Sequence, residues 1–319
     1  MRFVGIYFNG ASSFALNYDL FFWSMVALCG LVTLAIALAL AYFAVRYHRR
    51  NESALPPQIR SNVMLEAAWI AIPLLLFFGM FAYGTDLYFN MQMPPPNSTE
   101  VFVVAKQWMW KLQHTGGQRE INELHVPVGI PVKLTMTSQD VIHSFFVPAF
   151  RIKQDILPNR YTTIWFEATK PGEYHLFCAE YCGAQHSAMK GTVHAMDRQD
   201  FDRWLIQGGA EGSLSSLGEK LFHQYACANC HHFDGHGEGP NLQRIYGRPV
   251  KLMNEDVVMA DAGYLRESIL TPRAKIVLGF NDIMPTFQGQ LSEEQVIQLV
   301  SYIRAIGPVQ AGPRPPEER

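Results

Sequence analysis

The sequence predicts a multidomain chain: a two-helix transmembrane hairpin, then a β-sandwich, then a small all-α domain. Three observations carry that prediction. Two apolar runs, at about 20–45 and 67–84, fall within the first 92 residues. Short β-branched and aromatic runs between turn residues occupy 98–205. From 214 to 308, helix-forming segments surround a Cys-x-x-Cys-His motif.

The first apolar run holds no charged residue. It is long enough for a hydrocarbon core of ~30 Å, which takes about 20 helical residues. A cleaved signal peptide is the rival reading, but its apolar segment would be too long. The loop before the second run holds Arg46, His48, Arg49, Arg50 and Arg60. An excess of arginine marks the cytoplasmic side, so both termini and everything after residue 86 face outward. Cys29 lies in the first run. Leu28 before it is too large for a lipid-attachment signal, so the thiol reads as buried and inert. Glu66 heads the second run, where an ionisable residue raises a functional question although a solvated span end tolerates charge.

A length of 319 residues favours two or three domains. Hydrophobic residues make up 49% and charged residues 17%, apolar for a soluble chain. A net charge of −2 implies no nucleic-acid partner. Met93-Pro-Pro-Pro-Asn97 is a stiff spacer leaving the membrane. The runs 101–104, 132–137, 161–166 and 191–196 then read as strands of a sandwich. Residues 206–213 read as a flexible linker and 309–319 as a Pro-rich, disordered tail.

Within the sandwich, Cys178-Ala-Glu-Tyr-Cys182-Gly-Ala-Gln-His186-Ser-Ala-Met189 places two thiols, an imidazole and a thioether in twelve residues. His143 upstream is a further candidate ligand. Thiolate, imidazole and thioether together suit copper. A disulfide across so short a loop would leave His186 and Met189 unexplained, and zinc rarely takes a thioether. A second Cys four residues after the first allows both sulfurs to bridge two ions.

This stretch resembles the copper-A site of the cytochrome c oxidase subunit II family. The resemblance implies a cupredoxin fold for 98–205 and a binuclear copper centre. Cys178 and Cys182 would bridge the coppers, His143 and His186 would bind one each, and Met189 and the Glu180 carbonyl would complete the set. It also implies magnesium at the Glu180 carboxylate, on the border with subunit I. Glu66 would stand at the mouth of a proton path. In Gln107-Trp108-Met109-Trp110, Trp108 would be where electrons arrive, although Met109 replaces the aromatic residue usual there.

Cys227-Ala-Asn-Cys230-His231 reads as a c-type haem attachment, with two thioethers and a proximal histidine. A thioredoxin-like pair would not need His231. Gly218, Phe222 and Tyr302 resemble the helix crossing of class I cytochromes c, and Ser292 with Gln295 fits a capping box. Met284 is the expected distal ligand, since Met253 and Met259 lack the following Pro285. A His/Met pair favours electron transfer.

Both motifs together resemble a haem-c-fused subunit II of the bacterial caa type. That implies an enzyme subunit of a proton-pumping cytochrome c oxidase. Electrons would pass from an external donor through haem c and copper A to the haem of subunit I, which reduces oxygen. The implied partners are subunit I, subunit III, membrane lipid, and a cytochrome c or quinol-oxidising complex as donor. The implied place is a bacterial cell membrane, with the redox domains on the periplasmic side. The sandwich shows no dense acidic patch, which fits a donor already tethered. Two alternatives remain: the copper-A subunit of a nitric oxide reductase, and a membrane-anchored carrier acting alone. Two spans with Glu66, where one anchor would do, favour a docked complex. His114, His125, His175, His194, His223, His232 and His236 show no ligand spacing.

Overall fold

A computed structural model of the chain describes residues 10–48, 61–207 and 212–306. Arg49, Arg50 and Arg60 of the basic loop, residues 208–211 of the expected linker and the 309–319 tail lie outside the described residues.

The hairpin consists of α1 (Ala15–Arg46) and α2 (Val63–Gln92), both long and apolar enough to cross a membrane. At 1.5 Å per residue each extends about 45 Å, beyond a core of about 30 Å. Both are longer than the apolar runs because the helices continue through polar ends such as Asp19 and Asp86. Over most of their length the helices expose apolar side chains on every face, which suits lipid. Cys29 is one of them. It is exposed on α1 rather than buried, because α1 packs on little else in this chain. Toward the N-terminal end of α1 and the C-terminal end of α2 the helices meet at Phe21 and Tyr83, ring centroids 5.4 Å apart. The hairpin is pinned to the sandwich there: Ser13 N–H donates to Glu167 O at 3.0 Å. Arg151 Nε reaches Asp19 at 2.6 Å, and Trp165 Nε1 donates to Asn90 O at 3.1 Å.

Two five-stranded sheets form the sandwich. One has the order β3 (Arg119–Ile121), β2 (Met109–His114), β1 (Thr99–Lys106), β5 (Pro131–Ser138), β8 (Thr162–Glu167). The other has the order β4 (Glu123–Pro127), β10 (Lys190–Met196), β9 (Gly172–Cys178), β6 (His143–Val147), β7 (Ile152–Ile156). Their inward faces bury Trp110, Leu134, Phe145, Phe150 and Phe166. Alternation of buried and outward residues along β9 and β10 follows the period of two that the pleat imposes. A helix the strand pattern did not reveal, α3 (Arg198–Gln207), packs on β4.

The C-terminal domain holds α4 (Leu214–Gln224), α5 (Ala262–Leu270) and α6 (Glu293–Ala305). A short hairpin, β11 (Pro249–Lys251) with β12 (Val257–Met259), adds to the expected helices. Its turn is set by Glu255 at φ 70°. The capping box forms: Ser292 Oγ accepts from Gln295 N–H, and Gln295 Oε1 accepts from Ser292 N–H at 2.9 Å. The crossing of α4 over α6 needs Gly218, where a Cβ would lie 2.0 Å from Gln298 O. Phe222 and Tyr302 flank that crossing, centroids 5.3 Å apart.

This domain is docked on the sandwich. Ile297 and Leu214 are buried with Phe102 and Val104 of β1, beside Tyr161. Glu294 pairs with Lys111 at 2.7 Å, Arg304 with Glu100 at 2.6 Å, and Arg266 lies over the Tyr161 ring. Ser213, at the end of the expected flexible linker, is instead the N-cap of α4. Besides its covalent link, the domain is therefore seated on the sandwich through an apolar contact.

Candidate metal centres

The ends of three segments make the first centre. His143 opens β6, Cys178 closes β9, and the loop from 179 to 189 runs on to β10. Cys178 Sγ lies 3.7 Å from Cys182 Sγ. His143 Nδ1 stands 3.9 Å from the first sulfur, and His186 Nδ1 3.4 Å from the second. The Glu180 carbonyl is 3.2 Å from Cys178 Sγ, and Met189 Sδ is 3.8 Å from Cys182 Sγ. The six sequence-selected donors thus converge. His143, Cys178, Cys182 and Met189 are buried, His186 is half-buried, and the Glu180 side chain is exposed.

Asp140 supports the cluster and was not singled out by its sequence. Its carboxylate accepts from His143 Nε2 at 2.8 Å and from the backbone N–H of Gln107 and Val141, both at 2.7 Å. That bond leaves His143 Nδ1 free toward the sulfurs, the orientation a ligating histidine requires. Trp108 sits against the loop: its Nε1 and Gln107 Nε2 both donate to Cys182 O, at 3.3 and 2.8 Å. Gly183, at φ +115°, leaves room for them, since a Cβ would meet Gln107 Nε2 at 2.9 Å.

Burial pushes the Cys178 thiol up, but hydrogen bonds from His143 and from the Ser144 and Glu180 backbone outweigh it and hold it at about 6. Burial and then the negative charge on Cys178 push Cys182 up to about 12. Two sulfurs this close cannot both ionise unless a cation lies between them. That electrostatic demand, with thiolate, imidazole and thioether donors, fits copper.

The second centre lies in the C-terminal domain. Cys227, Cys230, His231 and Met284 line one cavity of about 330 Å³, with Leu242 and Phe287 among its apolar walls. His231 Nδ1 donates to Pro240 O at 2.8 Å, which leaves Nε2 free to act as a ligand. Burial lowers the His231 pKa and so favours the neutral, ligating form. Met253 and Met259 are more than half exposed and do not line the cavity, whereas Met284 packs on the domain core. All five cysteines are free, so Cys227 and Cys230 keep thiols available for thioethers. An apolar cavity with two thiols, an imidazole and a thioether fits a covalently held haem.

Glu66 is half-buried in the first turn of α2, beside the Asn62 cap, and is far in sequence from either centre. One grouping escaped the sequence reading: His125, His194 and Glu123, on neighbouring strands, have their ligand atoms within 4.8 Å of one another.

The family model for the cytochrome c oxidase subunit II periplasmic domain matches residues 114–196, and the cytochrome c model matches 215–307. Cytochrome c oxidase subunit 2 of Alkalihalophilus pseudofirmus is 28% identical over 312 residues, covering 91% of this chain and 86% of that one. The subunit 2 of Thermostichus vulcanus is 30% identical over 271 residues, covering 67% and 83%. The crystal structure of the periplasmic domain of cytochrome oxidase subunit II of Bradyrhizobium japonicum shares 28% identity at a TM-score of 0.35, covering 36% of this chain and 96% of that one. On the strength of the two family models and the Thermostichus vulcanus relative, the chain belongs to the cytochrome c oxidase subunit 2 family, in a form with a C-terminal cytochrome c domain, and is a subunit of a haem-copper terminal oxidase.

Proposed function

We propose that the chain feeds electrons from an outside donor through haem c and binuclear copper A to the haem of subunit I, where oxygen becomes water. One observation carries this reading: a sulfur pair 3.7 Å apart with one imidazole Nδ1 beside each sulfur. Bound copper would supply a one-electron relay that reorganises little, and haem c a second relay. Cys178 and Cys182 would bridge the two coppers, His143 and His186 would each bind one, and Met189 and the Glu180 carbonyl would cap them. Cys227, Cys230, His231 and Met284 would hold the haem.

The exposed Glu180 carboxylate would bind magnesium on the border with subunit I. Glu66 would admit protons to a path into that subunit. Trp108, hydrogen-bonded to the copper loop, would be where electrons reach copper A. Subunit III, a cytochrome c or quinol-oxidising donor complex and bilayer lipid complete the partners. The domains are taken as 1–92, 98–205 and 214–308, the last two on the periplasmic side of the membrane.

Electron paramagnetic resonance of the full chain tests this. The expected signal is one unpaired electron shared by two copper nuclei, and Cys182→Ser should reduce it to a mononuclear or empty site. A four-line spectrum from a single copper in the unaltered protein would overturn the assignment.

A further inference from the structure

Away from both centres, the outer face of the β4–β10–β9 sheet gathers another set of metal-type donors. β4 and β10 run parallel, with His125 opposite His194. The strand period of two puts Glu123 on the same face as His125. Glu173 of β9 is the cross-strand partner of His194, and its carboxylate lies 3.6 Å from His194 Nδ1. The His125 and His194 rings stack at 4.5 Å, and Trp204 of α3 stacks on His125 at 4.6 Å.

A second, independent feature lies beneath them. The Glu120 side chain is 5% exposed, yet it carries a carboxylate. One oxygen accepts from His114 Nε2 at 2.8 Å and from His125 N–H at 3.1 Å. The other accepts from His125 Nδ1 at 2.5 Å. A buried carboxylate that accepts from Nδ1–H fixes the tautomer and presents Nε2 outward, as ligating histidines require.

We propose that Glu123, His125 and His194 bind one divalent transition-metal ion of the zinc class, separate from copper A, with Glu120 as the positioning carboxylate. Two imidazoles and a carboxylate with a further position open to water form a zinc-type donor set, whereas magnesium and calcium prefer all-oxygen sites. An ion about 2.0–2.1 Å from each donor needs them about 3.3 Å apart. The site therefore closes from its present spread of up to 4.8 Å by rotation of the exposed Glu123 and the half-buried His194. His125, held by Glu120 and Trp204, is the fixed member. The ion would join β4 to β10 beneath Trp204 and so steady α3, which leads toward the haem domain.

The test is metal counting on the full chain as isolated from membranes, dialysed against Zn2+ in excess Ca2+ and Mg2+. One zinc per chain is expected beyond the resident metals. His194→Gln and Glu123→Gln should each weaken binding at least about 10-fold, and Glu120→Gln by about 10–100-fold without touching a ligand. The copper and haem spectra of each variant report whether it has folded. X-ray absorption at the zinc edge of the unaltered protein should show two imidazoles, a readout that needs no variant. No bound zinc, a zinc shell lacking the imidazole pair, or folded variants that bind as the unaltered protein does would each overturn the site, the last showing an adventitious ion only.

Discussion

Ile297→Ala tests how the haem domain is held on the copper domain. The Ile297 side chain is 1% exposed, enclosed by Phe102, Val104, Leu214 and Tyr161. On the same helix Val296, Leu299, Val300 and Ile303 pack into the haem domain's own core instead. Truncating Ile297 therefore weakens the contact between domains more than either domain. Three buried carbons at about 0.8 kcal/mol each give about 2.4 kcal/mol. A residual cavity adds to that, within the range of about 2–5 kcal/mol known for such truncations. The ion pairs around it, Lys111 with Glu294 and Arg304 with Glu100, are partly exposed. Such pairs contribute about 0–1 kcal/mol each. At about 1.4 kcal/mol per factor of ten, the truncation should shift docking by about 50-fold. Hydroxyl-radical footprinting of the full chain reads this, because Phe102 and the Tyr161 hydroxyl are buried beside the contact. Ile297→Ala should raise their labelling, while Lys111→Ala alone should change it little. The reverse pattern, protection retained in Ile297→Ala and lost in Lys111→Ala, would show that charge and not apolar burial seats the domain.

Met284→Ala should lower the haem reduction potential and remove the sulfur-to-iron absorption band while the haem stays attached, and the same outcome from Met259→Ala instead would refute the ligand choice. Gly218→Ala should lower the melting temperature of the haem domain, since a Cβ 2.0 Å from Gln298 O forces the helices apart and such overpacking costs about 1–3 kcal/mol; calorimetry showing no change would refute the close crossing. Docking should also depend on pH through Glu294. Burial raises its pKa, but the bond from Lys111 across the contact outweighs this and leaves it lowered. A group lowered on docking favours the docked state above its undocked pKa, and that contribution is lost as pH falls through the docked one. Footprinting should show at most a small loss of protection below about pH 4, no larger than Lys111→Ala gives at pH 7, and a large loss in acid would show that the pair carries more of the docking than the apolar contact does.

The two clusters of candidate donors were legible because their chemistry is local. Cys178 to Met189 and Cys227 to His231 are short segments whose residue types admit few other uses. The hairpin was legible because about 20 uncharged apolar residues have few other stable settings. What escaped depends on pairing between distant segments. His125 meets His194 only because β4 and β10 run parallel across 68 intervening positions, and no spacing rule encodes that register. The contact between domains left a fainter mark. On α6 the stripe formed by Val296, Leu299, Val300 and Ile303 satisfies one core, and Ile297 widens it beyond what that core needs. An extra apolar position beside a complete stripe is the signal of a second buried face.

The copper centre shows the same division within a single site. Its candidate donors come from the ends of three segments, but their placement depends on a turn that contributes none of them. Gln107 and Trp108 both donate to the Cys182 carbonyl, and Asp140 takes the backbone N–H of Gln107 while holding His143. The turn between β1 and β2 therefore clamps the loop and the upstream histidine through one continuous set of hydrogen bonds. A rigid surround of this kind fixes donor positions before any ion arrives, and positions that do not move between oxidation states suit a relay. Asp140 stands three residues before His143, a carboxylate within reach of an imidazole along one strand entrance, so a search for acids near each candidate ligand would have found it. The carbonyl of Cys182 could not have been found that way, because its role arises only when the loop folds back on Trp108.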